Sequence, residues 1–149
     1  MRLENAFEVD APVEAAWRLL NDVPAVVPCM PGAELLDGAD GETWKAKLDV
    51  KLGPIALQFL TDVRREEADE AERRIVLAAK AREARGRGNA QATIESRLAE
   101  ANGGTRVEIT TEVRLQGVVA QYGRGVVSDV ASRMTEQFAA CVARKLASA

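Results

Sequence analysis

Any chemistry done by this chain is done without histidine, because its 149 residues contain none. That removes the side chain that most often acts as a general base near neutral pH, and with it the commonest metal ligand. The candidate nucleophiles are Cys29 and Cys141. A catalytic cysteine needs a neighbouring base or cation to hold it as thiolate, and no imidazole exists for that task. The two cysteines have neither metal-ligand spacing nor the pattern of a disulfide framework. They therefore read as reduced thiols suited to a reducing cytoplasm, with Cys29 a small packing residue. Hydroxyls come next. Tyr122 is the only tyrosine; its phenol either orients a polar head inside an apolar pocket or reaches solvent. Thr61 and Thr111 complete the polar set on which a cyclase-like activity would rest. Gly123-Arg124-Gly125 lacks the third glycine and the strand–turn–helix context of a nucleotide fingerprint.

Charge sets further bounds. The formal net charge of -3 excludes a nucleic-acid partner for the chain as a whole. A content of 47% hydrophobic and 29% charged residues fits one folded domain over residues 1–149. Met1-Arg2-Leu3-Glu4-Asn5 turns charged at once, unlike a signal peptide, and no window approaches the ~18 apolar residues of a membrane span. Glu66, Glu67, Asp69, Glu70, Glu72, Arg73 and Arg74 read as a solvated hairpin. Arg82, Arg85 and Arg87 form a basic tip, and Lys45, Lys47 and Lys51 a basic strand face. These are ordinary surface, or a face for an anionic membrane or an acidic partner.

The elements that position these groups follow from periodicity. Leu3, Asn5, Phe7 and Val9 alternate with charged residues as a first strand. Asp10 and Pro12 open a helix with the apolar stripe Val13, Ala16, Trp17 and Leu20. Asn21-Asp22-Val23-Pro24 begins a second short helix, which runs into Pro28-Cys29-Met30-Pro31-Gly32. Two prolines and a glycine in five residues make that segment a stiff turn, a rim with Met30 towards whatever lies beneath. Six strands follow, separated by turn signals at Asp37–Gly41, Gly53-Pro54, Asp69–Glu72, Gly86–Asn89 and Asn102–Gly104. After Gly117 the period becomes helical, and Val119, Val126, Val130, Met134, Phe138 and Cys141 predict a helix over 118–146. The fold class is α+β: a curved antiparallel sheet of about seven strands around a long C-terminal helix, with two short helices after the first strand.

Ala46, Ala79, Ala81, Ala90 and Ala92 take inward positions, and Gly117, Ala120, Gly123 and Gly125 face them from the helix start. Small residues on both sides mean either close helix–sheet contact or a cavity for an apolar guest. In the second case the wall draws on Met30, Leu35, Trp44, Leu48 and Phe59. Leu77, Ala79 and Ile94 continue it across the sheet. From the helix come Val119, Tyr122, Gly123, Val126, Val130 and Met134, with Pro28, Cys29, Pro31 and Gly32 as lid. Paired glycines make the helix start malleable enough to act as a gate.

Ala11-Pro12-Val13-Glu14-Ala15-Ala16-Trp17, Leu20-Asn21-Asp22, Cys29-Met30-Pro31-Gly32-Ala33 and Met134-Thr135-Glu136-Gln137-Phe138 together resemble the CoxG family of carbon monoxide dehydrogenase subunits. The order of elements resembles the helix-grip fold of the START and birch-pollen-allergen (SRPBCC) superfamily. The resemblance implies an accessory protein of a molybdenum hydroxylase rather than an enzyme. It would have no cofactor of its own, would bind a quinone or lipid, and would link the enzyme to the inner face of the cytoplasmic membrane. Many members carry a membrane-contacting tail after the domain. This sequence stops at Ala149, so ligand binding or enzyme docking is the expectation here rather than stable anchoring.

Overall fold

The computed structural model describes residues 1–37 and 41–148. The chain runs β1 (Arg2–Val9), α1 (Val13–Asn21), α2 (Val23–Val26), a 3-10 turn (Val27–Cys29), β2 (Ala33–Asp37), β3 (Thr43–Leu52) and β4 (Ile55–Asp69). It continues through β5 (Arg74–Glu83), β6 (Asn89–Ala101), β7 (Gly104–Gln116), a second 3-10 turn (Gly117–Gln121) and α3 (Arg124–Ala147). All seven strands form one sheet in the order β1-β7-β6-β5-β4-β3-β2, with every pairing antiparallel. Successive hairpins generate five of the six pairings, and β1 closes the sheet by pairing with β7. The β6–β7 hairpin turns on Asn102 and Gly103, at φ 53° and 81°. Positive φ at both central residues matches the twist of the flanking strands, which is why Asn-Gly signals a tight hairpin.

α1 buries Val13, Ala16, Trp17 and Leu20, the stripe expected of it. Asp10 does not cap this helix; Pro12 is the N-cap residue and no side chain bonds there. Asp22 instead caps α2, accepting from the Ala25 N–H at 3.4 Å. The Pro28–Gly32 turn is fastened to β3. Gly32 stands at φ 80°, its carbonyl accepts from the Asp49 N–H at 2.9 Å, and a Cβ there would fall 2.3 Å from the Asp49 carbonyl oxygen. Glycine is required on both counts. The expected Asp37–Gly41 turn falls largely on Gly38, Ala39 and Asp40, outside the described residues.

Two further expectations are corrected. The long helix starts at Arg124, with Gly123 as its N-cap, instead of Val118. Val118 and Val119 belong to the 3-10 turn, whose apolar spacing mimics a helix. Ala120, Gly123 and Gly125 are exposed, and a Cβ on either glycine would meet nothing within 4 Å, so this stretch does not face the alanines of the sheet. Gly117 instead packs against the β5–β6 turn, its added Cβ falling 2.7 Å from Gly88 Cα. The second correction concerns the cysteines. Cys29 and Cys141 are joined in a disulfide, Cα to Cα 5.3 Å, and no described cysteine is free. The bond staples the rim turn to the C-terminal half of α3, where Val142 is fully buried.

Candidate ligand-binding hollow

The apolar interior is divided. One core joins Val9, Trp17, Leu20, Cys29, Ile75, Leu98, Val107 and Val142, with Phe7, Leu77 and Phe138 packed against it. It fills the end closed by α1, α2 and the C-terminal half of α3, where Phe7 and Phe138 meet edge to face at 6.1 Å. The other core joins Leu52, Leu57, Phe59 and Val119, bordered by Leu48, Val50, Ala81, Leu115, Tyr122 and Val130. Between them lies a waist. Val63, Ala79, Ala90, Ala92, Ile94, Val113 and Met134 belong to neither core and are only half-buried. Well-packed interiors join such residues into one continuous core; here small side chains leave them apart. α3 lies chiefly against β1, the first 3-10 turn and α1. Its N-terminal half covers the waist loosely: Val130 and Met134 are half-buried and Val126 is 43% exposed.

The expected wall residues distribute along this division. Trp44 (3% exposed), Phe59 and Val119 are buried. Met30, Leu35, Leu48, Leu77, Ala79, Ile94, Tyr122, Val130 and Met134 are half-buried, while Gly123 and Val126 are exposed at the helix start. In the lid, Cys29 is buried, Met30 and Pro31 are half-buried, and Pro28 and Gly32 face solvent. At the open end, Pro54, Ile55, Leu57, Val118, Tyr122, Arg85 and Arg87 surround a depression of about 520 Å³. Both arginines donate to the Ala56 carbonyl there, at 3.5 and 3.0 Å. A second depression, about 400 Å³, lies among charged groups including Lys45, Asp62, Arg64 and Glu66. Trp44, Val63 and Ala78 line it as well, and Lys45 and Asp62 pair there at 2.8 Å.

Two inward charges went unread in the sequence, although strand parity carries both. Glu83 continues the series Ile75, Leu77, Ala79, Ala81 and is buried. It accepts from the backbone N–H groups of Gln58 (3.0 Å), Arg85 (2.9 Å) and Arg87 (3.3 Å). The Gln58 bond above all, then those of Arg85 and Arg87, outweighs desolvation and holds its carboxyl below the usual carboxylate range. Glu83 thus braces the β5–β6 turn at the open end. Arg65 continues Leu57, Phe59, Thr61, Val63. Its guanidinium lies 5.3 Å over the Trp44 ring, and Nη2 donates to the Asn21 carbonyl at 2.5 Å. Its Nε and the Thr61 hydroxyl are buried with no hydrogen-bond partner, as is Asn21 Oδ1. Among the described residues no cluster of His, Cys, Asp and Glu is arranged to hold a metal ion.

A seven-stranded antiparallel sheet gripping a long C-terminal helix defines a START-like helix-grip domain. Residues 6–147 match the CoxG family of carbon monoxide dehydrogenase subunits, and the chain belongs to that family. The fold is similar to that of a conserved protein from Geobacillus kaustophilus, at 19% identity and a TM-score of 0.87 over 99% of this chain and 96% of that one. It is also similar to the Zhui aromatase/cyclase from Streptomyces sp. R1128, at 16% identity and a TM-score of 0.67 over 98% and 93%. A START superfamily protein from Mycobacterium smegmatis is similar at 16% identity and a TM-score of 0.62, over 99% and 97%. No curated protein sequence matches the chain at a significant level.

Proposed function

We propose that this chain is a non-catalytic accessory protein of a molybdenum hydroxylase of the carbon monoxide dehydrogenase type. It takes up an apolar ligand, a quinone or lipid, in the waist between its two cores. Family membership supports the partner. The observation that carries the ligand is the waist itself, where Val63, Ala79, Ala92, Ile94 and Val113 lie half-buried on the inner face and join neither core. Apolar surface left in that state is stabilised by a guest at ~25 cal/mol per Å² covered. The working site in this reading is the cytoplasmic face of the membrane, met peripherally; among the described residues no helix is long and apolar enough to cross a membrane.

Incubation with a menaquinone analogue followed by native mass spectrometry tests the ligand. A one-to-one adduct is expected, lost when the waist is filled by Ala79→Leu together with Ala92→Leu. Absence of any adduct with quinones and lipids alike overturns the reading. Co-purification with molybdenum hydroxylase subunits, unaffected by the same filling, would leave a pure docking module. The cyclase-like alternative draws on the unpartnered Thr61 hydroxyl facing the waist; turnover of a polyketide-type substrate, abolished by Thr61→Val, would establish it instead.

A further inference from the structure

The β3–β4 hairpin, the β5–β6 turn and the 3-10 turn after β7 meet at the open end. Asn89 pairs with Gln116, the Val119 N–H donates to the Arg87 carbonyl at 3.0 Å, and the Ala84 N–H donates to the Gln58 carbonyl at 2.7 Å. Residues 50–57, 84–91 and 113–125 build this end. They hold Lys51, Arg85, Arg87, Arg114 and Arg124, and no acidic residue. The acids that border them are engaged elsewhere. Glu83 is buried on its three backbone N–H groups, and Asp49 accepts from the Gln58 amide at 3.1 Å. Among the described residues none of the five basic side chains forms an ion pair. Arg85 and Arg87 each donate to the Ala56 carbonyl, and Arg124 to that of Arg2.

The far end has the opposite character. Glu67, Asp69, Glu70 and Glu72 crowd the β4–β5 hairpin. The arginines there are matched: Arg73 with Glu14, Arg74 with Glu67 and Glu95, Arg97 with Glu95, and Arg106 with Glu8 and Glu108. A chain of net charge -3 thus carries an acid-free cluster of cations at one end. An anionic surface turns such a molecule so that this end leads. The same turns expose apolar groups. Val118 is 48% exposed, Pro54 and Ala56 face solvent, and Ile55 and Tyr122 are half-buried. Pro54, Ile55, Val118 and Tyr122 ring one depression with Arg85 and Arg87, so apolar and basic groups interleave on one surface. An acidic protein face would satisfy the arginines but set Val118 and Pro54 against polar groups. The interface of an anionic bilayer receives both, phosphates meeting the cations and the acyl boundary meeting the apolar tips.

We infer that the open end is a docking surface for a bilayer of anionic phospholipid, with Lys51, Arg85 and Arg87 on lipid phosphates and Val118 and Pro54 entering the head-group layer. This rests on the peripheral membrane contact in the reading above and names the surface that makes it, which lies in the folded domain itself. Docked in this way, the depression beside Tyr122 opens onto lipid.

The test is co-sedimentation of the full chain with vesicles of phosphatidylcholine, alone or mixed with phosphatidylglycerol, at low and high salt. The anionic vesicles are expected to bind at least about tenfold more tightly than the neutral ones, and less tightly at high salt. A basic side chain near such a surface is worth about fivefold in affinity, so Arg85→Gln with Arg87→Gln should weaken binding by about tenfold or more. Arg97→Gln with Arg106→Gln removes the same charge at the far end and should leave binding unchanged. Val118→Ser should weaken it by about threefold at either salt. Equal losses from the two arginine pairs overturn the inference, and so does a failure to bind anionic vesicles. In either case an adduct with the menaquinone analogue leaves the ligand-binding reading standing, and its absence as well removes both. Polyglutamate bound as tightly as the anionic vesicles, and unaffected by Val118→Ser, assigns this end to an acidic protein and overturns the lipid partner. Should the Arg85 and Arg87 variant fail to fold, Lys51→Gln, with an expected loss of about fivefold, takes its place.

Discussion

At the scale of single residues, Gly32 and Glu83 show how the Pro28–Gly32 turn and the β5–β6 turn are fixed. Gly32→Ala would have to bear both φ 80° and a Cβ 2.3 Å from the Asp49 carbonyl. A cost of at least ~2 kcal/mol is expected, read as a fall in Tm of about 4 °C or more in thermal unfolding. Glu83 is bonded by three backbone N–H groups and its carboxyl is held low. A lowered folded-state pKa contributes stability that is fully present above the unfolded carboxylate value of ~4.3. That contribution is lost as pH falls through the folded value. Glu83→Gln should therefore melt well below the unaltered chain at pH 7, and the gap should shrink below about pH 4. A gap independent of pH would show that Glu83 acts by shape alone. Arg65 and Glu83 also mark what was hardest to read. Both follow strand alternation faithfully, but a charge at an inward position is discounted when apolar neighbours define the face. Only the bonds that satisfy Glu83, and the donor left over on Arg65, give those positions meaning.

At the scale of elements, the strands were legible and the start of α3 was not. Val107, Ile109, Thr111, Val113 and Leu115 alternate without a break, and all five take the inner face of β7 as expected. Asn102-Gly103 places its hairpin within a residue, because few residues other than Asn and Gly accept φ > 0 twice in succession. At the other end of β7, Val118 and Val119 sit at helical spacing from Val126, so periodicity alone extended the helix backwards across a 3-10 turn. The two glycines expected within that helix are its N-cap and second residue, out in solvent. Gly125→Ala therefore has room. It should raise stability by about 0.5–1 kcal/mol through a stiffer unfolded chain and better helix propensity, measured as a higher denaturant midpoint at unchanged slope. If a malleable helix start admits the ligand, the same substitution should slow uptake in stopped-flow fluorescence while leaving equilibrium affinity unchanged.

At the scale of the molecule, the seven-stranded sheet and its helix were readable because each strand declares its own face, and consecutive hairpins leave little choice of order. Division of the interior into two cores was foreshadowed by the alanines of β3, β5 and β6. Pairing of Cys29 with Cys141 was not, since it depends on how the rim turn meets α3 in three dimensions. A crosslink enclosing so long a loop is expected to contribute about 4–5 kcal/mol by restricting the unfolded chain. Reduction with a dithiol should lower Tm by about 10 °C, and thiol titration of the denatured chain should rise from none to both cysteines. A reduced protein that melts at the same temperature would mean that packing around Val142 alone holds the helix.

The staple also makes the chain a closed ring for most of its length. Between residues 29 and 141 lie β2 to β7 and most of α3. A single peptide cut anywhere in that span opens the backbone without dividing the molecule: under non-reducing conditions the two pieces migrate as one, and they separate only when the sulfur bridge is broken. A nicked chain therefore keeps its two halves at high effective concentration, free to re-close around whatever the hollow contains.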